Sequence, residues 1–208
     1  MKAHFLNTTV RFKLAVNCLA LRLIKPLMAV TLVLLFSSHS FAIELDSPLP
    51  ALNIKEAGEI VLNEKGKAKF ISWSSSNLIS SISLLQVLKA SQEAADINKV
   101  YLDKFGERFN DNNKVDSATI VVSNNIPSLL GGFVKKELKK NKKAHPHAIM
   151  INDKKGITRS AWELPETQAI MMLVDSKGVV RKYHEGKLAD SEHQNWNSAI
   201  DELLQEQE

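Results

Sequence analysis

Between residues 43 and 208 the apolar positions fall into short blocks separated by polar turns. The block around which the others are organised is Ser81-Ile-Ser-Leu-Leu-Gln-Val-Leu88. Leu84, Leu85, Val87 and Leu88 place apolar side chains on both faces, as expected of a strand covered by helices on either side. A polar turn, Lys89-Ala-Ser-Gln-Glu93, follows it. Ala94, Ile97, Tyr101 and Phe105 then recur at helical spacing with Val100 beside them, while Asp96, Lys99, Asp103 and Lys104 take the other face. This predicts a helix over 94–105, ending at Phe105-Gly106.

The other blocks read in the same way. Glu59-Ile-Val-Leu62 and Lys69-Phe-Ile-Ser-Trp73 flank Asn63-Glu-Lys-Gly66 and predict a hairpin. Pro48 and Pro50 favour an extended lead into it. Ala118-Thr-Ile-Val-Val122 is a second buried strand. Leu129, Leu130, Phe133, Val134 and Leu138 mark a helix whose start Gly131-Gly132 delays to about Phe133. Its end holds Lys135, Lys136, Lys139, Lys140, Lys142 and Lys143. Strands follow at 148–151 and 169–175, with a short irregular or helical piece at 157–164 between them. Ser176-Lys-Gly178 turns the chain into a hairpin partner at 179–184. Trp196, Ile200, Leu203 and Leu204 form the stripe of a last helix opening at Ala189 or Asp190. The order β-hairpin, βαβ, α, β, β-hairpin, α predicts an α/β domain: a central mixed sheet with helices on both faces.

Residues 1–42 are of a different character. They hold Lys2, Arg11, Lys13, Arg22 and Lys25 and no acid, then an apolar run from Leu27 to Phe36. Ser40 and Ala42 suit the −3 and −1 positions of a secretory cleavage site, which predicts a signal peptide over 1–42 cut after Ala42. The alternative is an uncleaved anchor. Ten helical residues span only ~15 Å against a hydrocarbon core of ~30 Å. A second apolar stretch, Leu14 to Ile24, makes the basic region unusually long.

Cleavage changes the charge. The chain has 27 Lys+Arg and 23 Asp+Glu. Removing five basic residues leaves 22 against 23, so the basic character belongs to the leader, and no nucleic-acid partner is expected. The single cysteine, Cys18, leaves with the same cut. The remaining 43–208 would be a cysteine-free domain in a disulfide-permissive compartment, with no stable membrane anchor.

The ordered set of elements is recognisable. Leu78 and the strand ending at Leu88, Thr119-Ile-Val-Val122, Asn141-Lys-Lys143 with His145-Pro146, Ala161-Trp162-Glu163-Leu164, and Leu173-Val-Asp-Ser-Lys-Gly-Val179 carry the likeness. The chain resembles the thioredoxin-like fold in its peroxiredoxin-like variant. More narrowly it resembles the YtfJ family, small periplasmic proteins of Gram-negative bacteria. The resemblance implies a fold and a periplasmic location rather than an activity. It also locates an absence. The turn that would carry Cys-x-x-Cys reads Ala90-Ser-Gln-Glu93, and the place of the usual cis-proline falls near Gln168-Ala169, with Pro165 too early. Ser80-Ser81 and Lys89-Ala90-Ser91 depart from the family's Gly-Lys and Gly-Arg-like patterns.

Thiol-disulfide oxidoreductase and peroxidase activity are therefore not expected, and no cofactor is implied. Ser91, Gln92 and Glu93 are candidates for binding a ligand at a helix N-terminus; they also suit plain helix capping. His145 and His147, two apart, are candidate metal ligands if the segment is extended, with Asp153 the closest carboxylate in sequence. The Lys135–Lys143 cluster could bind an anionic partner such as a lipid headgroup or sugar phosphate. No Gly-x-Ser-x-Gly elbow is present. The leading expectation is a binding or accessory protein with an unidentified protein or small-molecule partner. The alternative is a thiol-independent enzyme or a metal-binding protein using Ser91–Glu93 or His145 and His147.

Overall fold

The computed structural model describes residues 42–127 and 129–207. The predicted signal segment lies outside the described residues, apart from Ala42. One seven-stranded mixed sheet organises them, in the order β2-β1-β5-β4-β3-β6-β7. The strands are β1 (Asn53–Leu62), β2 (Ala68–Ser74), β3 (Ile82–Lys89), β4 (Val115–Val122), β5 (Ile149–Asp153), β6 (Ala169–Val174) and β7 (Val180–Glu185). Strands β3, β4 and β5 run parallel to one another. The hairpin β1–β2 joins antiparallel at β5, and β6–β7 joins antiparallel at β3.

The apolar block of 82–88 sits near the middle of this sheet. Every residue from Ile82 to Leu88 is buried. Alternation splits them between two cores. Leu85 and Val87 face a core with Ile170, Met172, Trp73 and Trp162. Ile82 and Leu84 face another with Tyr101, Phe105, Trp196 and Ile200. Strand β6 obeys the same parity, because its register pairs Leu84 with Leu173 and Leu85 with Met172. Helices α2 (Lys99–Phe109) and α5 (His193–Gln205) close the second face. The short α4 (Ile157–Ala161), followed by Trp162, closes the first together with Leu52 and Ile54. Trp162 Nε1 donates to the Pro50 carbonyl at 2.9 Å, which ties the lead-in segment to this core. Pro48 bridges to Val179.

Three elements depart from expectation. The helix predicted over 94–105 is two helices, α1 (Gln92–Asp96) and α2, and the second runs on to Phe109. The break falls at Ile97-Asn98. Asn98 turns inward, donating to the Gly186 carbonyl at 3.0 Å and accepting from Leu188 N–H at 2.8 Å. Gly106 sits inside α2 because Phe109 still has core to cover. Val100 does not join the core but stands exposed.

The first strand begins at Asn53 rather than Glu59. A bulge at Ala57 and Gly58, both at positive φ, breaks the register between Ile54 and Glu59 and hides the strand's period. Gly58 is obligatory there, since a Cβ would lie 2.2 Å from the Ile71 carbonyl oxygen.

The helix α3 spans Gly131–Ala144, starting before Phe133. Its apolar stripe is only partly buried: Leu138 is inside, while Leu129, Leu130 and Phe133 are exposed. Lys142 points the other way from its neighbours. It is buried, with Nζ donating to the Ala148 carbonyl at 2.7 Å.

Candidate functional site

The turn after β3 is held at both ends by backbone. Lys89 N–H donates to the Gln168 carbonyl at 2.9 Å, and Ala90 N–H to the Val122 carbonyl at 3.1 Å. The turn is therefore pinned between the C-terminal end of β4 and the loop that leads into β6. In open α/β sheets this is where ligands are met, beyond the carboxyl ends of parallel strands.

Ser91 is the N-cap of α1. Its extended backbone (φ −139°, ψ 157°) aims Oγ at the helix, where it accepts from Ala94 N–H at 3.1 Å. Glu93 lies in the first turn, where a carboxylate meets the positive end of the helix. Gln168 Nε2 donates to Glu93 Oε2 at 3.4 Å. Gln92 Nε2 donates to Asp96 Oδ2 at 2.8 Å. Lys89 Nζ stands 3.5 Å from Glu166, an exposed pair of small energetic weight.

Three of the four positions compared with a Cys-x-x-Cys sequence are thus polar: Ser91 and Gln92 bond within α1, and Glu93 bonds to the loop before β6. The surface is a stitched one: Glu93 on one side, Gln168 on the other. Sequence reasoning named Ser91, Gln92 and Glu93 together but placed Gln168 only as the site of a missing proline. Its partner role follows from the β6 register and is not written in local sequence.

The loop that carries Gln168 is fastened from beneath by Arg159. This side chain is buried, and its guanidinium donates to the carbonyls of Pro165 and Thr167. It compensates main-chain oxygens, so the loop 165–168 keeps its path without regular structure. No sequence pattern announced it.

His145 and His147 lie at the far end of α3. His145 is the C-cap, its N–H bonded to the Asn141 carbonyl at 2.8 Å, and both residues are exposed. Asp153 does not turn toward them. It is fully buried and serves as a cap for α4, accepting from Ile157 N–H at 3.1 Å and from Thr158 N–H at 2.8 Å. Among the described residues no group of three or more His, Cys, Asp or Glu is placed to hold a metal ion.

The lysines of α3 divide into two kinds. Lys142 faces the half-buried Glu59. Burial lowers the Lys142 pKa and raises that of Glu59, and each charge partly offsets the other's shift. Lys135, Lys136, Lys140 and Lys143 are exposed, and Lys139 sits half-buried with its Nζ 5.6 Å from the centre of the Phe70 ring. Glu137 is the only acid on the helix, 3.8 Å from Lys140. Among the described residues no helix is long and apolar enough to cross a membrane.

Comparison with known proteins agrees with this geometry. A family model described as "Bacterial protein of unknown function (YtfJ_HI0045)" matches residues 43–204. An uncharacterised protein of Haemophilus influenzae is 29% identical over 181 residues, covering 86% of this chain and 98% of its own. The protein YtfJ of Escherichia coli K12 is 28% identical over 196 residues, covering 94% and 99%. Among solved structures, a protein of Chlorobium tepidum provisionally named thiol:disulfide interchange protein DsbE superposes with a TM-score of 0.52 at 11% identity, over 78% of this chain and 99% of that one. The thioredoxin domain of a thiol-disulfide oxidoreductase from Bacteroides vulgatus gives 0.50 at 16%, over 76% and 99%. At these identities the likeness is one of fold, and the fold is thioredoxin-like.

Proposed function

The chain belongs to the YtfJ_HI0045 family of bacterial proteins, and from that premise we propose that it is an exported, periplasmic protein that uses a thioredoxin-like fold for binding rather than for thiol chemistry. The observation that carries this is the composition of the turn after β3. A dithiol exchanges disulfides through a thiolate, which must be present and accessible. Here the only cysteine of the chain is Cys18, outside the family match, and the turn is built from Ala90, Ser91, Gln92 and Glu93. The Ser91 hydroxyl is occupied in capping α1, and Glu93 is engaged by Gln168.

Export is supported by the basic, acid-free leader and its apolar run, and by the family match, which begins at residue 43, directly after the proposed cut. Binding at the turn is supported by its place beyond the carboxyl ends of β3 and β4, with Gln92 exposed beside the Glu93–Gln168 pair.

Two assays test the reading. With dithiothreitol and insulin, or with hydrogen peroxide, the purified protein is expected to turn over no faster than the protein-free blank. Sustained turnover above the blank sinks the claim. A photo-crosslinking residue in place of Gln92 is expected to trap one reproducible adduct in the intact periplasm. A crosslinker at that position that traps nothing argues against the turn as a recognition surface.

A further inference from the structure

Helix α3 and the turn before it bring exposed apolar side chains and a run of lysines together. Leu129 is 96% exposed, Leu130 53% and Phe133 63%. Beyond Phe133, Lys136, Lys140 and Lys143 follow at spacings of three and four, so the four residues share one face of the helix. That face is exposed along its length, while Leu138 and Lys142 occupy the opposite, buried one. Lys135 and Lys139 flank it. The result is an apolar tip followed by a basic flank, with Glu137 its only carboxylate.

The two halves ask for different things from a partner. The lysines, on flexible stems, suit phosphates or other anions spread over a surface. Leu129, Leu130 and Phe133 gain only if they leave water, at about 1.5–3 kcal/mol for each large side chain fully buried. A free sugar phosphate satisfies one or two lysines and leaves the tip wet. A nucleic acid supplies charge along a rod and offers no apolar phase for two leucines. An anionic bilayer supplies both at adjoining depths: charged headgroups for the lysines and the acyl boundary for the apolar tip.

We propose that the segment from Leu129 to Lys143 docks this protein reversibly on the surface of an anionic lipid bilayer. The tip enters the headgroup–acyl boundary, and Lys136, Lys140 and Lys143 lie against the headgroups. This is peripheral binding, and a protein with no spanning helix among its described residues can perform it. It is independent of the reading of the β3 turn, and either can fail without the other.

The test is co-sedimentation with vesicles, using the protein recovered after export of the full-length chain. The expected result is binding to vesicles of phosphatidylglycerol with phosphatidylcholine that weakens as salt rises, with far weaker binding to phosphatidylcholine alone. Replacing Lys136, Lys140 and Lys143 with glutamine lowers the partition coefficient by about 100-fold, at about fivefold per lysine. Leu129→Ser with Phe133→Ser lowers it by about 100-fold or more, while binding to soluble heparin is unchanged. The substituted side chains are exposed, so both variants should keep the parent melting temperature. The salt dependence of the unaltered protein gives a reading that needs no variant.

Equal binding to neutral and anionic vesicles overturns the proposal, as does binding that survives both sets of substitutions. So does a self-associated protein that ignores vesicles and dissociates on Leu129→Ser with Phe133→Ser, because a second copy then covers the tip. Vesicle binding that follows heparin binding in every variant also overturns it, since a soluble polyanion site would explain the data.

Discussion

Asp175 is the residue on which most local geometry converges. Its Oδ1 accepts from the N–H groups of Lys177 and Val179, each at 2.9 Å, and its Oδ2 from Arg181 Nε at 2.8 Å. Arg181 reaches on to Asp46 at 2.9 Å and so ties the lead-in segment to the β6–β7 hairpin. Burial alone would raise the Asp175 pKa, but the Val179, Arg181 and Lys177 hydrogen bonds together hold it below the ordinary value. A carboxyl lowered in the folded state stabilises the fold above its unfolded value of about 4 and loses that contribution as pH falls through the folded one. Asp175→Asn should therefore cost about 1–3 kcal/mol at neutral pH, and the gap to the parent should close below about pH 4. Urea melts across this range check it; a gap that stays constant contradicts the account. The turn Asp-Ser-Lys-Gly was legible in sequence because Gly178 takes the left-handed conformation such turns require. The Arg181 link was not, because Asp46 lies far away along the chain. Ser91 shows the opposite case. Its cap was readable from residue type and position alone, and Ser91→Ala should cost about 0.5–2 kcal/mol in the same melts.

At the level of elements, the pattern of apolar positions located every strand of the sheet and misjudged the elements interrupted by a polar or glycine residue. Periodicity counts Ala94, Ile97, Tyr101 and Phe105 as one stripe and cannot register that Asn98 breaks the helix. The reason for the break is tertiary: Asn98 satisfies Gly186 and Leu188 near the end of β7, 88 and 90 residues away. Asn98→Ala should leave those two backbone groups without their partner and cost about 1–3 kcal/mol. Hydrogen exchange should show the loss first at Leu188. Protection there equal to the parent would mean that water replaces the side chain at no cost. Strand β1 was half legible for a related reason. Before Glu59 its alternation is scrambled by the bulge at Ala57-Gly58, which only the pairing with Ile71 and Asp153 explains. In α3 the stripe itself was real but its destination was misjudged, since helical spacing cannot tell a core face from an exposed one. Leu138 goes inward, and Leu129, Leu130 and Phe133 remain outside.

For the whole molecule, the central sheet follows from one property of β3, its apolarity on both faces. Parity along β3 and β6 divides the side chains between two cores, and the helices then have to lie on both sides. That much was legible because burial on two faces leaves a strand with no alternation to read. The candidate site was legible as a location and as an absence of thiols. Its stitching by Gln168 and Arg159 was not, since both act through a loop whose path depends on main-chain bonds distant from the turn. The proposed export joins these scales: removal of residues 1–42 would take away the only cysteine and, with five basic residues and no acid, the whole of the excess positive charge, leaving a thioredoxin-like domain without a thiol. Intact-mass spectrometry of the protein recovered from the periplasm, before and after iodoacetamide, tests this most directly. The expected product is a chain beginning at Ile43 whose mass does not change with alkylation. A mature chain that retains Cys18 and gains one carbamidomethyl group would contradict it.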